Sequence, residues 1–397
     1  MDEIVDLILR EARENDDLGG LLAAVCDKLC EAGLPLMRAS LGMRAIDPTI
    51  RALSFVWWRD RGVSADQTPH DEGDAQYLRS PISYLQTQGL ARNRWRLDQG
   101  EGCETYTILR EVQAAGASDY FMWLMRFGGP TSLAMPGVAI AIATDQLGGF
   151  SDDETALFEA LLSAFGLACY RFALSRTAED ILGVYLGPMT ARRVLAGEVQ
   201  RGIGRAITAA ILLADLRDFT QLTGREDPLR VVGWLNEHLE AVGGPVAEEG
   251  GEVLKFMGDG LLAVFPAESP ERGRQACLRA LAAAEEALVR TGALNASRRA
   301  RGEPQLGLDI VLHYGEVVYG NVGASRRLDF TVIGRAVNEA SRVESLCGRL
   351  GRDLLLTSPF ATRCGRDTLS LGRFALRGVE GELEVAVLAG SARPSNA

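Results

Sequence analysis

Two aspartates carry the first chemical signal. Asp215 ends a continuous apolar run over residues 207–214, the pattern of a buried strand that delivers an acid to the edge of its sheet. The residues after it, Phe219 and Thr220 among them, turn into a helix, and free backbone N–H groups at such a start can face a substrate phosphate. Asp259 stands between Gly258 and Gly260, at the tip of a tight hairpin joining residues 253–257 to 261–265. Either acid alone reads as a turn former. In a strand-helix-hairpin layout, however, the end of the first strand and the hairpin tip lie side by side. Two carboxylates converging there can hold Mg²⁺ or Mn²⁺ and leave positions open for phosphate oxygens. A third signal follows Gly334: Asn338 and Arg342 are four residues apart on a helical pattern and so share one face. An amide and a guanidinium together suit a sugar and a phosphate whose charge grows during reaction. Taken alone, Arg342 reads as a surface arginine pairing with Glu339 or Glu344.

These residues need a scaffold, and the patterning supplies one. Residues 207–390 alternate strand and helix signals. A strand at 207–214 is followed by a helix opened by the N-cap acid and first-turn proline of Asp227-Pro228, then by the hairpin, an Ala-rich helix at 272–289 and a strand at 308–313. This βαββαβ order is ferredoxin-like, extended by residues 331–333, 337–346 and 354–357. Upstream, residues 176–206 read as a helical linker that breaks at Gly187-Pro188, either a mechanical coupler or a plain spacer. Residues 1–175 form a separate unit, with a helix at 4–32, strands at 36–43 and 53–58, a helix at 108–115 and strands at 120–126 and 137–144. Its exit helix over 157–174 starts at a capping box, Ser151 and Glu154. The fold class is therefore α/β in the broad, α+β sense. Trp57, Trp58, Trp95, Trp123, Tyr106 and Tyr120 line a ligand pocket or fill the core of this unit.

Composition narrows the function. Acids outnumber bases by 53 to 42, a net charge of −11, which argues against a nucleic-acid partner or an anionic membrane surface. No apolar run reaches the roughly 18 residues of a membrane span, and the N-terminus lacks a signal-peptide layout. Seven scattered cysteines without a CxxC pair, Cys26 and Cys30 among them, read as packed thiols in a reducing, cytoplasmic compartment. Three distant histidines argue against an imidazole-built zinc site.

The segments around Asp215 and Asp259, with residues 329–342 (DFTVIGRAVNEASR), together resemble class III nucleotidyl cyclase catalytic domains over about residues 207–390. The resemblance implies that Asp215 and Asp259 bind two metal ions, Mg²⁺ or Mn²⁺, with the Leu216 backbone carbonyl assisting. It implies that Lys255 and Thr331 recognise the purine, that Asn338 orients the ribose and that Arg342 stabilises the transition state. Arg377 stands where the family usually has a phosphate-binding lysine. Residues 1–175 resemble a GAF domain in element order and in the entry to the exit helix, which implies an unknown small-molecule or protein regulator.

The implied purine pair favours ATP. Lysine only donates, which suits adenine N1, and a threonine hydroxyl can accept from N6, whereas a guanine site would prefer a carboxylate at position 255. Thr331, where many members carry Asp, is similar to a subgroup with bicarbonate-responsive members. The family divides metal-binding and base-reading residues between two subunits, and since this chain has both sets, a homodimer is expected. The reading is an adenylyl cyclase governed by its N-terminal domain. Its alternatives are a guanylyl cyclase and a non-catalytic nucleotide-binding dimerisation module. A diguanylate cyclase would continue the hairpin motif with Glu-Phe, which is absent here.

Overall fold

A computed structural model describes residues 2–70, 77–127, 137–217, 219, 224, 226–267 and 269–390. The chain divides into two compact units, Met1–Val184 and Tyr185–Ala397.

The first unit is built on a six-stranded antiparallel sheet. Its strands are β1 (Arg38–Arg44), β2 (Ile50–Trp58), β3 (Gly62–Pro69), β4 (Arg92–Arg96), β5 (Asp119–Arg126) and β6 (Gly137–Thr144), in the order β3-β2-β1-β6-β5-β4. On one face lie α1 (Asp2–Glu14), α2 (Leu18–Glu31) and α5 (Asp152–Leu186), whose Ile8, Leu22 and Phe165 pack with Leu41 and Ile140 of the sheet. The other face carries α3 (Pro81–Thr87) and α4 (Thr107–Ala114), joined to the sheet through Leu85, Leu109, Trp95 and Tyr120.

The helix expected over 4–32 is two helices. Asp17 accepts a 2.9 Å hydrogen bond from the Gly20 N–H and starts the second, an N-cap that competes with continuation of the first. Strands β3 and β4 and helix α3 were not legible in the sequence, because β3 is exposed along nearly its whole length and has no period-2 burial. The capping box holds as expected: the Ser151 N–H donates to Glu154 at 2.7 Å and the Glu154 N–H to Ser151 Oγ at 3.2 Å. From it α5 runs 35 residues to Leu186, ahead of Gly187 at φ +86°. That length and composition would let α5 cross a membrane, which no run in the sequence did. Its buried stripe of Phe158, Leu161, Phe165 and Cys169 nevertheless packs into the sheet core. Trp57, Trp95 and Trp123 are buried and fill core, Trp58 and Tyr106 pack partly buried, and Tyr120 is buried in the core while its side chain also lines a cavity. All seven cysteines are free thiols, six of them buried.

The second unit holds an eight-stranded sheet ordered β13-β14-β12-β10-β7-β9-β8, with β11 paired to β10. In chain order, α6 (Pro188–Leu195) precedes β7 (Gly204–Arg217), α7 (Pro228–Glu248), β8 (Glu252–Met257), β9 (Gly260–Ala267), α8 (Gly273–Arg301) and β10 (Gly307–Ala324). There follow β11 (Arg327–Ile333), α9 (Arg335–Glu344), α10 (Leu346–Leu350), β12 (Leu354–Thr357), α11 (Ser358–Cys364), β13 (Thr368–Ala375) and β14 (Glu382–Leu388). Asp227 caps α7, its carboxylate accepting from the Leu229 and Arg230 N–H groups. Strand β9 lies antiparallel between β7 and β8, so the hairpin returns beside the strand that ends in Asp215. Helices α7 and α8 cover one sheet face through Val242, Ala280 and Ala284, and α9 and α10 the other through Ala340, Val343 and Leu346. The strand expected at 308–313 runs on to Ala324, and the helix expected at 272–289 to Arg301. In the first case Gly315 and Gly320 masked the alternation, though both sit in regular pairing with β7.

Candidate active site

Asp215 lies near the end of β7, where it pairs in register with Asp309 of β10. Asp259 lies in the two-residue turn between β8 and β9. The two converge. The Asp215 carboxyl is pushed up to about 7, first by partial burial and then by the negative charges of Asp259, Glu344 and Asp309. Burial also raises Glu344, with Asp309 and Asp259 adding to it. Gly260 belongs to the same arrangement: a Cβ there would sit 2.6 Å from an Asp215 oxygen and 2.7 Å from the Ala214 carbonyl. Only glycine lets the hairpin approach this closely. One neighbour of the pair is neutralised, since Arg217 binds both Asp309 and Asp353.

Among the described residues, no cluster of three or more His, Cys, Asp or Glu side chains could hold a metal unaided. Two carboxylates, one of them starved of positive charge, fit a cation of the Mg²⁺ type, which takes one or two carboxylates and completes its shell with water and phosphate oxygens. The Leu216 side chain is buried with Phe219, Val231 and Trp234, which fixes the backbone at the strand end, and its N–H donates to the Asp215 carboxylate. The Phe219 side chain is core, and Thr220 lies outside the described residues.

Lys255 on β8 forms an ion pair with Asp329 on β11. Asp329 and Thr331 are two apart on one strand and share a face, so Lys255 and Thr331 belong to the same local surface. Sequence reasoning missed Asp329, although its i,i+2 spacing to Thr331 is a readable strand signal. Opposite these residues on β10 stand Val322 and Gly320, with Val318 facing Ile333. Val318, Val322, Ile333, Phe256 and Met257 are exposed apolar side chains around Lys255, Phe256 at 56%.

Asn338 and Arg342 both lie exposed on α9, and among the described residues neither side chain has a hydrogen-bond or ion-pair partner. The surface pairing open to Arg342 is not made: Glu339 is taken by Arg335 and lies 3.5 Å from His313, and Glu344 faces the acids. Arg377 is exposed in the turn between β13 and β14.

A further polar group went unread in the sequence. Glu252, buried at the start of β8, accepts hydrogen bonds from the Met189 and Thr190 N–H groups at 2.8 and 2.9 Å and from the Tyr319 hydroxyl at 2.9 Å. Burial raises its carboxyl. Arg193 stacks over Tyr319 and Phe330, 4.9 and 5.2 Å from their ring centres. Helix α6 is thereby fastened to the strands that carry Lys255 and Thr331.

Residues 204–363 match the family described as the adenylate and guanylate cyclase catalytic domain. An adenylate cyclase of Anabaena cylindrica is 34% identical over 159 residues, 39% of this chain and 31% of that protein. Adenylate cyclase 1 of Rhizobium meliloti is 30% identical over 190 residues, 47% of this chain and 28% of that protein. A solved adenylyl cyclase from P. aeruginosa is 23% identical, with a TM-score of 0.44, over 48% of this chain and 98% of that one. The chain thus spans about a third of the length of the curated relatives it matches. Residues 204–363 are thus similar to the adenylate and guanylate cyclase catalytic domain.

Proposed function

We propose that the chain is an adenylyl cyclase that converts ATP to 3′,5′-cyclic AMP and pyrophosphate. The observation that carries this reading is the convergence of Asp215 and Asp259, since the hairpin bearing Asp259 comes so close that a Cβ at Gly260 would lie 2.6 Å from an Asp215 oxygen. Two divalent cations on these carboxylates and the Leu216 carbonyl would make the ribose 3′-hydroxyl more acidic and neutralise the triphosphate. Asn338 holds the ribose so that its 3′-oxygen stands in line with the α-phosphate, and the Arg342 fork meets the charge that grows there. Arg377 adds a cation for the polyphosphate. Lys255 donates to adenine N1 and Thr331 accepts from N6, while Asp329 orients Lys255.

The site is proposed to form between two copies. Glu344 faces the acid pair and lies two residues past Arg342, about 200° further round the helix. Arg342 and Asn338 therefore point away from the acids of their own chain. The exposed apolar side chains around Lys255 supply a surface for a second copy to cover. In a two-fold dimer each chain lends its acids to one site and its Lys255, Thr331, Asn338 and Arg342 to the other.

The strand order β10-β7-β9-β8 supports a ferredoxin-like catalytic core, and the helix-flanked antiparallel sheet of residues 1–175 supports a GAF-like sensor. On this reading a small-molecule or protein regulator acts on that sensor in a cytoplasmic enzyme, and residues 176–206 transmit the signal through the α6 contacts. Bicarbonate sensitivity rests on Thr331 alone. To test the function, the purified chain is incubated with Mn²⁺ and either ATP or GTP and the products are separated. Cyclic AMP from ATP is expected. Preferential cyclic GMP from GTP would favour the guanylyl alternative, and no turnover of either would favour the non-catalytic one.

A further inference from the structure

The first unit contains a cavity of about 810 Å³ on the sheet face that carries α3 and α4, within the range of small-molecule sites. Its floor is made of small side chains, Ser40, Gly42, Ser54 and Ala139, on neighbouring strands β2, β1 and β6. A Cβ added to Gly42 would meet only Ile82, at 3.8 Å, so the space above the strand is open. Met122, Leu124 and Ile82 make this part of the wall apolar, while Arg44, Arg51, Asp66 and Arg126 also line the cavity.

Arg38 lines this cavity and is only 6% exposed. Its guanidinium donates to Ser40 Oγ at 3.1 Å, lies 5.5 Å from the Trp58 ring centre and keeps an Nε–H with no acceptor. The Tyr120 hydroxyl is its other neighbour. These partners are all neutral, and among the described residues no carboxylate pairs with it. A buried guanidinium without a counter-charge is unfavourable unless something compensates it. A fold that keeps one on the wall of a cavity is prepared for an anion.

We propose that this cavity binds an organic carboxylate with an apolar body, its carboxylate paired to Arg38. One guanidinium fork matches the two oxygens of a carboxylate. Ser40 and Tyr120 hold the fork in place, and the hydrocarbon body covers Met122 and Leu124. Such a ligand would bind the native state alone and raise its stability in proportion to its concentration over Kd.

The test uses the full chain and matched pairs of probes: phenylacetate, 4-phenylbutyrate and octanoate, each beside its neutral amide, at concentrations up to 10 mM scaled to about 10-fold over a millimolar Kd. Melting is followed in the wild type and in Arg38→Met, which keeps the packing length and removes the charge. At least one acid is expected to raise the wild-type melting temperature by 2 °C or more, its amide to do nothing, and the variant to lose the shift. Without ligand, Arg38→Met should melt at or above the wild-type temperature, because a buried unpaired charge has been removed. The proposal is overturned if no acid shifts the wild type, if an amide matches its acid, or if Arg38→Met keeps the shift. Should the variant fail to fold, Arg38→Lys takes its place, expected to weaken the acid-induced shift by losing the fork while keeping the charge.

Discussion

The repulsion between Asp215 and its acidic neighbours predicts that a substitution abolishing catalysis stabilises the protein. In metal-free buffer Asp215 carries a carboxyl raised from 3.8 to about 7, so its ionised form destabilises the folded state. Unscreened, that shift corresponds to about 4 kcal/mol at pH 8. Asp215 is only half-buried and water screens it, so about 1–2 kcal/mol is the appropriate scale. The sign follows from linkage: the folded state holds the proton that the unfolded state releases between pH 3.8 and 7, so the penalty is complete above pH 7 and fades as pH falls toward 3.8. Asp215→Asn removes it and still accepts from the Leu216 N–H. At about 2–4 °C per kcal/mol for a domain of this size, the variant should melt about 2–8 °C above wild type at pH 8 in EDTA. The gain should be smaller at pH 5 and less than half by pH 4, as protonation of the carboxyl removes the repulsion. Millimolar Mn²⁺ should raise the wild-type melting temperature and leave the variant unmoved. A variant no more stable than wild type at pH 8, or a gain that does not diminish at pH 5, would refute the reasoning.

Other outcomes follow from single contacts. Glu252→Ala strands two backbone N–H groups and leaves the Tyr319 hydroxyl only its bond with Thr190 Oγ1, and should lower stability by about 2–4 kcal/mol in denaturant titration. Lys255→Glu should reduce kcat/KM for ATP by about 100-fold or more and raise the GTP-to-ATP ratio, read by product chromatography. Equal mixtures of Asp259→Ala and Arg342→Ala chains, each inactive alone, should regain activity through mixed dimers with one intact site. His238 and His313 are buried and held down to about 4, chiefly by burial, so their contribution is complete above pH 6.5 and declines as pH falls toward 4. Between pH 7 and 5 each should cost about 2 kcal/mol of stability; His313→Gln should flatten that pH slope in urea titrations, and an unchanged slope would count against the assignment.

The second unit was legible because its signals are local. An apolar run ending in Asp215, the glycines around Asp259 and the i,i+4 spacing of Asn338 and Arg342 each fix a short piece of backbone, and the strand order then brings the first two together. What stayed hidden depends on partners far apart in the chain. Glu252 reads as an ordinary surface acid until α6 folds onto β8, and Asp329 until β11 reaches Lys255. Arg38 looked like a routine strand residue, since nothing near it in sequence announces its burial. Strand β3 escaped for the opposite reason: exposed along its length, it owes its place to backbone pairing with β2 and leaves no alternating pattern.

The central claim, that Asp215 and Asp259 jointly make this chain a cyclase, is tested most directly by cyclic AMP formation from ATP and Mn²⁺ in wild type and Asp259→Asn. With both proteins shown to be folded by melting, wild type should form cyclic AMP and the variant should be slower by about 1,000-fold or more. A folded Asp259→Asn protein that makes cyclic AMP at the wild-type rate would contradict the account.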